Sequence, residues 1–317
     1  MLGLARSLIL FLSVTQFTLG MLGNGFIGMV NGSSWFKSKR ISLSDFILTT
    51  LALCRIVVLG ILFADSTIMV FSPRLHEMGE AMQVIDLFWT FTNHLSTWLA
   101  TCLSVLYCLK IASFSHPTFL WLKWRASRVV GWMLWGALFS SCGSLVTLVQ
   151  EFKLHSVLRG ADGTGNVSEH FRKQKNQFQL THVLGMLRNL PLLVLCLAAS
   201  LLLILSLGRH TRQMQQSAVG PSDPSTDAHK RAIRMILSFV FLFLLYFVAV
   251  SITSSSYFLP GEREMTKMIG EVITMFYPVC HSFVLILGNN RLRQTFVELL
   301  WCESGHLKPV PKGPLSP

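Results

Sequence analysis

Seven stretches of this chain are long and apolar enough to cross a bilayer, and they are almost free of charge: 7–30, 46–71, 81–109, 129–150, 180–207, 235–258 and 268–288. About 20 predominantly apolar residues span the hydrocarbon layer. Inside the seven stretches the charged residues are Arg55, Asp65, Asp86, Arg188 and Glu271, although the 317-residue chain holds 27 Lys+Arg and 15 Asp+Glu. The intervening segments therefore have the polarity of ordinary loops, about a quarter of their residues being charged. A soluble protein would mix the two populations within each helix at a period of 3.6. Here residues 235–258 (MILSFVFLFLLYFVAVSITSSSYF) are apolar all round. Every backbone polar group must be satisfied internally in lipid, which leaves helices or closed barrels. Barrel strands are about 10 residues long and alternate in polarity, unlike these runs. The sequence predicts an all-α, polytopic membrane protein, a seven-transmembrane helix bundle. Residues 1–288 form the bundle, and 289–317 form an amphipathic helix followed by a Pro-rich disordered tail. Pro191 and Pro278 fall inside spans and are expected to kink them. The first span exceeds a signal-peptide core and reads as a retained helix.

Orientation rests on three signals. Loop Lys+Arg densities on the two sides are nearly equal. The first hairpin usually dominates, and there Lys37, Lys39 and Arg40 oppose Arg6 alone. Asn166-Val167-Ser168 is a glycosylation sequon in the middle of the loop at 151–179. A competing sequon, Asn31-Gly32-Ser33, abuts the end of the first span. The expected arrangement is a plasma-membrane protein with its N-terminus outside and its C-terminus in the cytoplasm. The net charge of +12 then sits mostly on the cytoplasmic pieces, which suits anionic lipid and gives no reason to invoke nucleic acid.

Six of the seven cysteines lie within spans, so no loop disulfide is expected. Cys302 follows a helix whose Leu292, Phe296, Leu299 and Leu300 share one face, and a juxtamembrane cysteine there is a candidate for palmitoylation. Several motifs mislead. Gly23-x-Gly25-x-x-Gly28 matches a dinucleotide fingerprint, but it lies within a span, where small residues serve close helix packing. His76-Glu77 begins a zinc-protease motif that position 80, a Glu, does not complete. No metal or cofactor is expected, and no catalytic motif organises an enzyme. Two other classes are a transporter or channel, which needs a polar path across the whole membrane, and an intramembrane hydrolase, for which Asp65 and Asp86 are the buried aspartates.

Charged residues inside a membrane are functional hypotheses by default. Arg55 lies near the midplane and needs acceptors, and Asn24 is at a similar depth. Asp86, Trp89, Asn93 and Thr97 follow i, i+3, i+7, i+11, with Thr90 and His94 beside them, one polar and aromatic stripe on the third span. Arg188 and Glu271 fall in the same half of the membrane. This polarity predicts a ligand cleft on the extracellular side, in which Glu271 and Trp89 suit a cationic or amphipathic molecule. The plain alternative pairs Glu271 with Arg188 or with the loops.

Seven spans with this topology resemble a G protein-coupled receptor, but the rhodopsin-type marks are missing. Residues 107–110 (YCLK) hold no acidic-Arg pair, 244–247 (LLYF) no Trp-x-Pro, and 281–285 (HSFVL) no Asn-Pro-x-x-Tyr. The segments present are SLSDFILTTLALCR (42–55), WTFTNHLSTWLAT (89–101), LYCLKIASFSHPTFLWLKWR (106–125), SLGRHTRQMQ (206–215), DPSTDAHKRA (223–232) and YPVCHSFVLILGNNRLRQTF (277–296). They resemble the bitter taste receptors, taste receptor type 2, over nearly the whole chain. That resemblance implies that Trp89, Asn93 and Glu271 contact agonists, and that Tyr246 is an activation switch. It implies that Arg55 stands where other receptors have the acid of a sodium site, in a network with His281, and that Lys110 and His210 face the G protein. Arg209, Lys230 and Arg231 extend that basic face. The implied partners are bitter small molecules and a heterotrimeric G protein with a gustducin-like or Gi-like α subunit, signalling through phospholipase C and calcium. Membrane lipid, with sterol as a candidate, and a homo-oligomer complete the expectation.

Overall fold

The computed structural model describes residues 2–38, 42–72, 80–161, 183, 185, 187–217, 224–255 and 263–303. Every regular element among them is an α-helix. In chain order these are α1 (Leu2–Ser38), α2 (Leu43–Phe71), α3 (Glu80–Ile111), α4 (Pro117–Trp124), α5 (Ala126–Ala161), α6 (Leu190–Ser217), α7 (Pro224–Ser255), α8 (Arg263–Gly288) and α9 (Asn290–Glu303). Seven are long and apolar enough to cross a membrane, over Arg6–Trp35, Leu43–Phe71, Met82–Ile111, Ala126–Lys153, Leu190–Gln213, His229–Thr253 and Thr266–Gly288. The end at which α2 finishes and α3 begins is termed upper here, and the end at which α1 finishes and α9 lies is termed lower.

The helices start where local chemistry lets them. Ser42 caps α2, its hydroxyl accepting from the Asp45 N–H at 3.1 Å. Pro117 occupies the first turn of α4, where its missing N–H costs nothing. The Asn289 side chain accepts from the N–H groups of Arg291 (3.0 Å) and Leu292 (3.3 Å) and opens α9. In the fifth span the continuously described helix runs from Leu190. Arg188 and Asn189 form a turn before α6, and Pro191 is its second residue. Residues 183, 185 and 187 are helical ahead of that turn, so the helix is interrupted just before Pro191, where the sequence expects a proline kink. Pro278 does lie inside α8.

α3 packs against α2, α5 and α6, and α8 packs against α1, α2 and α7. The most apolar window of α3 is 61% buried and that of α5 only 22%, so α3 runs through the centre and α5 along the rim. Trp132, Trp135 and Phe139 point outward from α5, as a lipid-facing surface requires. Two glycines permit close approach. A Cβ on Gly23 would stand 2.6 Å from Ser282 Oγ, and one on Gly20 would collide with Leu59, whereas Gly25 and Gly28 face open space. Only the first glycine of the apparent dinucleotide motif thus serves helix packing.

α9 is pinned to the lower end. Arg291 donates to Asn31 Oδ1 and to Ser34 Oγ (3.2 Å) on α1 and pairs with Asp45 of α2 at 3.6 Å. Leu292 is buried and Phe296 packs edge-on against Phe26, while Leu299 and Leu300 stay exposed. Asn166 and the Cys302 side chain lie outside the described residues.

Candidate functional site

The polar residues of the upper half form three groups, each facing a different neighbour of α3 or α8. The first joins α2 to α8. Lys267 Nζ sits 3.0 Å from Asp65 Oδ2 and 3.6 Å from Glu271 Oε1, and Ser66 Oγ donates to Glu271 Oε2 at 3.1 Å. Asp86 on α3 lies within electrostatic reach of Lys267. Glu271 is 4% exposed. In this arrangement its carboxylate is held by the protein's own ammonium. Arg188 turns elsewhere, donating to Thr147 Oγ1 on α5 at 3.2 Å, so the expected alternative of a Glu271–Arg188 pair is not what forms.

The second group joins α3 to α5 and the turn before α6. Trp98 Nε1 donates to His94 Nε2 (3.1 Å), and Ser140 Oγ lies 2.9 Å from the same nitrogen. An indole N–H can only donate, so Nε2 accepts and Nδ1 carries the proton. Nδ1 then donates to Asn189 Oδ1 at 3.0 Å. Both ring nitrogens of His94 are engaged, and it works as a knot between three elements.

The third group runs inward. Asn93 Nδ2 donates to Tyr246 Oη at 2.7 Å, joining α3 to α7. The Tyr246 ring lies 4.9 Å from that of Tyr277 on α8, and the Arg55 guanidinium lies 5.1 Å from the Tyr277 ring centre. Arg55 Nη2 donates to His281 Nδ1, and the His281 ring lies 4.6 Å from that of Phe239 on α7. Asn24 is not the acceptor that depth suggested: its amide bonds back to the Gly20 carbonyl at 2.9 Å. Trp89 packs among Val58, Leu59, Leu62, Met275 and Val279. Its buried indole nitrogen has no hydrogen-bond partner among the described residues. Thr90 is buried beside it.

A cavity of about 370 Å³ lies toward the lower end, between α3, α6, α7 and α8, with Ser104, Tyr107, Ser200, Met235, Phe239 and His281 among its lining residues. Lys110, Arg209, His210, Lys230 and Arg231 are exposed at that same end, on α3, α6 and α7. At the upper end, where the sequence expects a ligand cleft, Asn93, His94 and Glu271 are buried side chains, each bonded within its own group. Lys267 and Tyr277 were not among the anticipated residues. Their i, i+4 spacings to Glu271 and His281 were the available signal.

Seven spans around a polar, bonded interior define a multi-pass helical membrane protein of receptor type. The sequence model of the taste receptor protein (TAS2R) family matches residues 1–304, and the chain belongs to that family, one of receptors and not enzymes. It is 66% identical over 313 residues to taste receptor type 2 member 3 of Papio hamadryas, covering 99% of each chain. It is 65% identical over 315 residues to the protein of that name from Homo sapiens and 56% over 314 residues to that from Mus musculus, again covering 99% of each chain.

Proposed function

We propose that the chain is a bitter taste receptor of the plasma membrane, with its upper end extracellular. It binds bitter small molecules among Asp86, Trp89, Thr90, Asn93, Tyr246 and Glu271, with Arg188 and His94 at the border. It activates a gustducin-like or Gi-like heterotrimer at its lower end, leading to phospholipase C and calcium. The observation that carries this reading is the Asn93–Tyr246 hydrogen bond. It joins the proposed ligand region to α7, the helix whose other end lines the lower cavity through Ala232, Met235, Ile236 and Phe239.

A ligand shifts a conformational equilibrium only by its differential affinity for the two states. Two groups supply such a difference. The Trp89 N–H is buried without an acceptor among the described residues, and the Tyr246 hydroxyl already accepts from Asn93. An agonist that satisfies the indole and competes for the Asn93 amide releases Tyr246, and α7 repacks. Widening the lower cavity then admits the helical terminus of a G protein α subunit, against Lys110, Arg209, His210, Lys230 and Arg231. The orientation gains support from Asn31, which is buried and bonded to Arg291, so a glycan there has no room in the folded bundle. For membrane lipid, sterol included, the groove on α5 lined by Arg128, Gly131, Trp132 and Trp135 is the suited surface.

The test is calcium mobilisation in cells expressing the receptor and a gustducin-type chimeric α subunit, screened with bitter compounds. Trp89→Ala and Glu271→Gln should each weaken agonist responses about tenfold or more at unchanged surface expression, the loss of one buried contact of about 1.4 kcal/mol. Asn93→Leu should alter basal activity as well. Dose–response curves identical to wild type across the panel would reject the site.

A further inference from the structure

Arg55 carries a positive charge deep inside the bundle that no acidic side chain among the described residues pairs with. It sits near the middle of α2 and is wholly enclosed. A guanidinium does not lose its proton in proteins, and buried charges are normally paired. Its contacts are a neutral acceptor, His281 Nδ1, and Tyr277, by way of both the ring face and the phenol group. Nε and Nη1 have no hydrogen-bond acceptor. The ionisable side chains that bear on it, besides His281, are the Cys54 thiol and the Tyr246 and Tyr277 phenols. The nearby acids of the bundle are committed elsewhere, Asp65 and Glu271 to Lys267, and Asp45 to Arg291. The Tyr277 hydroxyl is also buried, close to the guanidinium, and makes no well-formed hydrogen bond among the described residues. Two orphaned guanidinium nitrogens and an orphaned hydroxyl therefore lie on neighbouring side chains in a region closed to solvent.

We propose that Arg55 and the Tyr277 hydroxyl bind a small monovalent anion of the halide class, chloride under cellular conditions. The donors are N–H and O–H groups only, which selects an anion over a cation. The complete burial of Arg55 and near-complete burial of Tyr277 exclude a polyatomic ligand such as a carboxylate metabolite or a lipid phosphate. His281 bonds Arg55 and also lines the lower cavity, so movement of its ring is the entry path for the anion. A bound halide stabilises the arrangement in which α2 and α8 stay together at this depth, by mass action. The inference concerns binding and stability, and it stands whether or not the agonist site is where it is proposed above.

The experiment uses the full-length receptor in lipid nanodiscs, with chloride exchanged for gluconate at constant sodium and ionic strength. The expected result is a saturable rise of several degrees in Tm with chloride, reproduced by bromide, and a broadened chlorine-35 resonance that narrows on addition of bromide. Arg55→Met should abolish both, since it removes the charge while filling the space. Tyr277→Phe, which keeps the ring, should weaken the chloride dependence several-fold. Equal Tm and an unbroadened resonance in the wild-type protein would overturn the proposal. So would an undiminished chloride response in Arg55→Met. If that variant fails to fold, an unchanged chloride affinity in Tyr277→Phe places the anion elsewhere and rejects the site.

Discussion

Lys267 is the residue on which the upper end of the α2–α8 contact depends. It holds two carboxylates, Asp65 and Glu271, that would otherwise face each other in a poorly hydrated site. Removing one partner of a buried ion pair leaves an uncompensated charge, at a cost of about 3 kcal/mol or more. Lys267→Met should therefore lower the Tm of the purified receptor, and adding Glu271→Gln should recover part of the loss. If the double variant is less stable than Lys267→Met alone, the carboxylate repulsion is not the cause. The sequence did not place Lys267 in this role, because a cut at 268 put it in a loop while α8 begins at Arg263. Arg55 was legible as a buried charge in a network with His281, but Asn24, the acceptor suggested by depth, does not bond it. Depth along a helix follows from counting residues, whereas the direction a side chain faces depends on how the helices are rotated, and Asn24 turns onto its own helix. Tyr277 was missed for a related reason: a tyrosine in an apolar run gives no sign of the guanidinium it faces.

At the scale of helices the sequence was more informative. The partition of charge between spans and loops located all seven spans, since lipid admits few charges and loops admit many. The ends were less legible. Backbone hydrogen bonding continues past the hydrocarbon layer wherever the residues tolerate helix, so α1 reaches Ser38 and α5 reaches Ala161. The glycines of α1 separate packing from mere composition. Gly23 faces Ser282 across the α1–α8 contact, while Gly25 and Gly28 face open space. Gly23→Ala should cost about 1–3 kcal/mol by overpacking. Gly25→Ala and Gly28→Ala should leave stability unchanged or slightly higher, because alanine favours helix over glycine. Thermal unfolding of the three single variants decides, and equal losses in all three would contradict the assigned contact.

For the whole molecule, the two regions of interest lie at opposite ends and share a chain of side chains from Asn93 through Tyr246, Tyr277 and Arg55 to His281. The lower cavity was not foreseen, because it is formed by the spacing of four helices that are distant in sequence. If its widening admits the G protein, filling it should uncouple the receptor. Ala232→Trp places a large ring against the cavity from α7. The expected outcome is G protein activation at least tenfold lower with agonist affinity retained, measured by nucleotide exchange and by radioligand binding. Wild-type nucleotide exchange in that variant would show that the cavity plays no part.

Arg291 gives the lower end a further property. By reaching Asn31 and Ser34 on α1 and Asp45 on α2 from its place on α9, it makes three helices into a single mechanical frame. Ser206 on α6 likewise accepts from the Ser113 N–H just past α3, at 2.9 Å. α7 meets this assembly differently, by Met235 against Gly288 and by Phe239 against His281, surfaces that slide without breaking directional bonds. A lever needs a fixed mounting, and the hydrogen bonds of Arg291 and Ser206 supply one on either side of the helix best placed to swing.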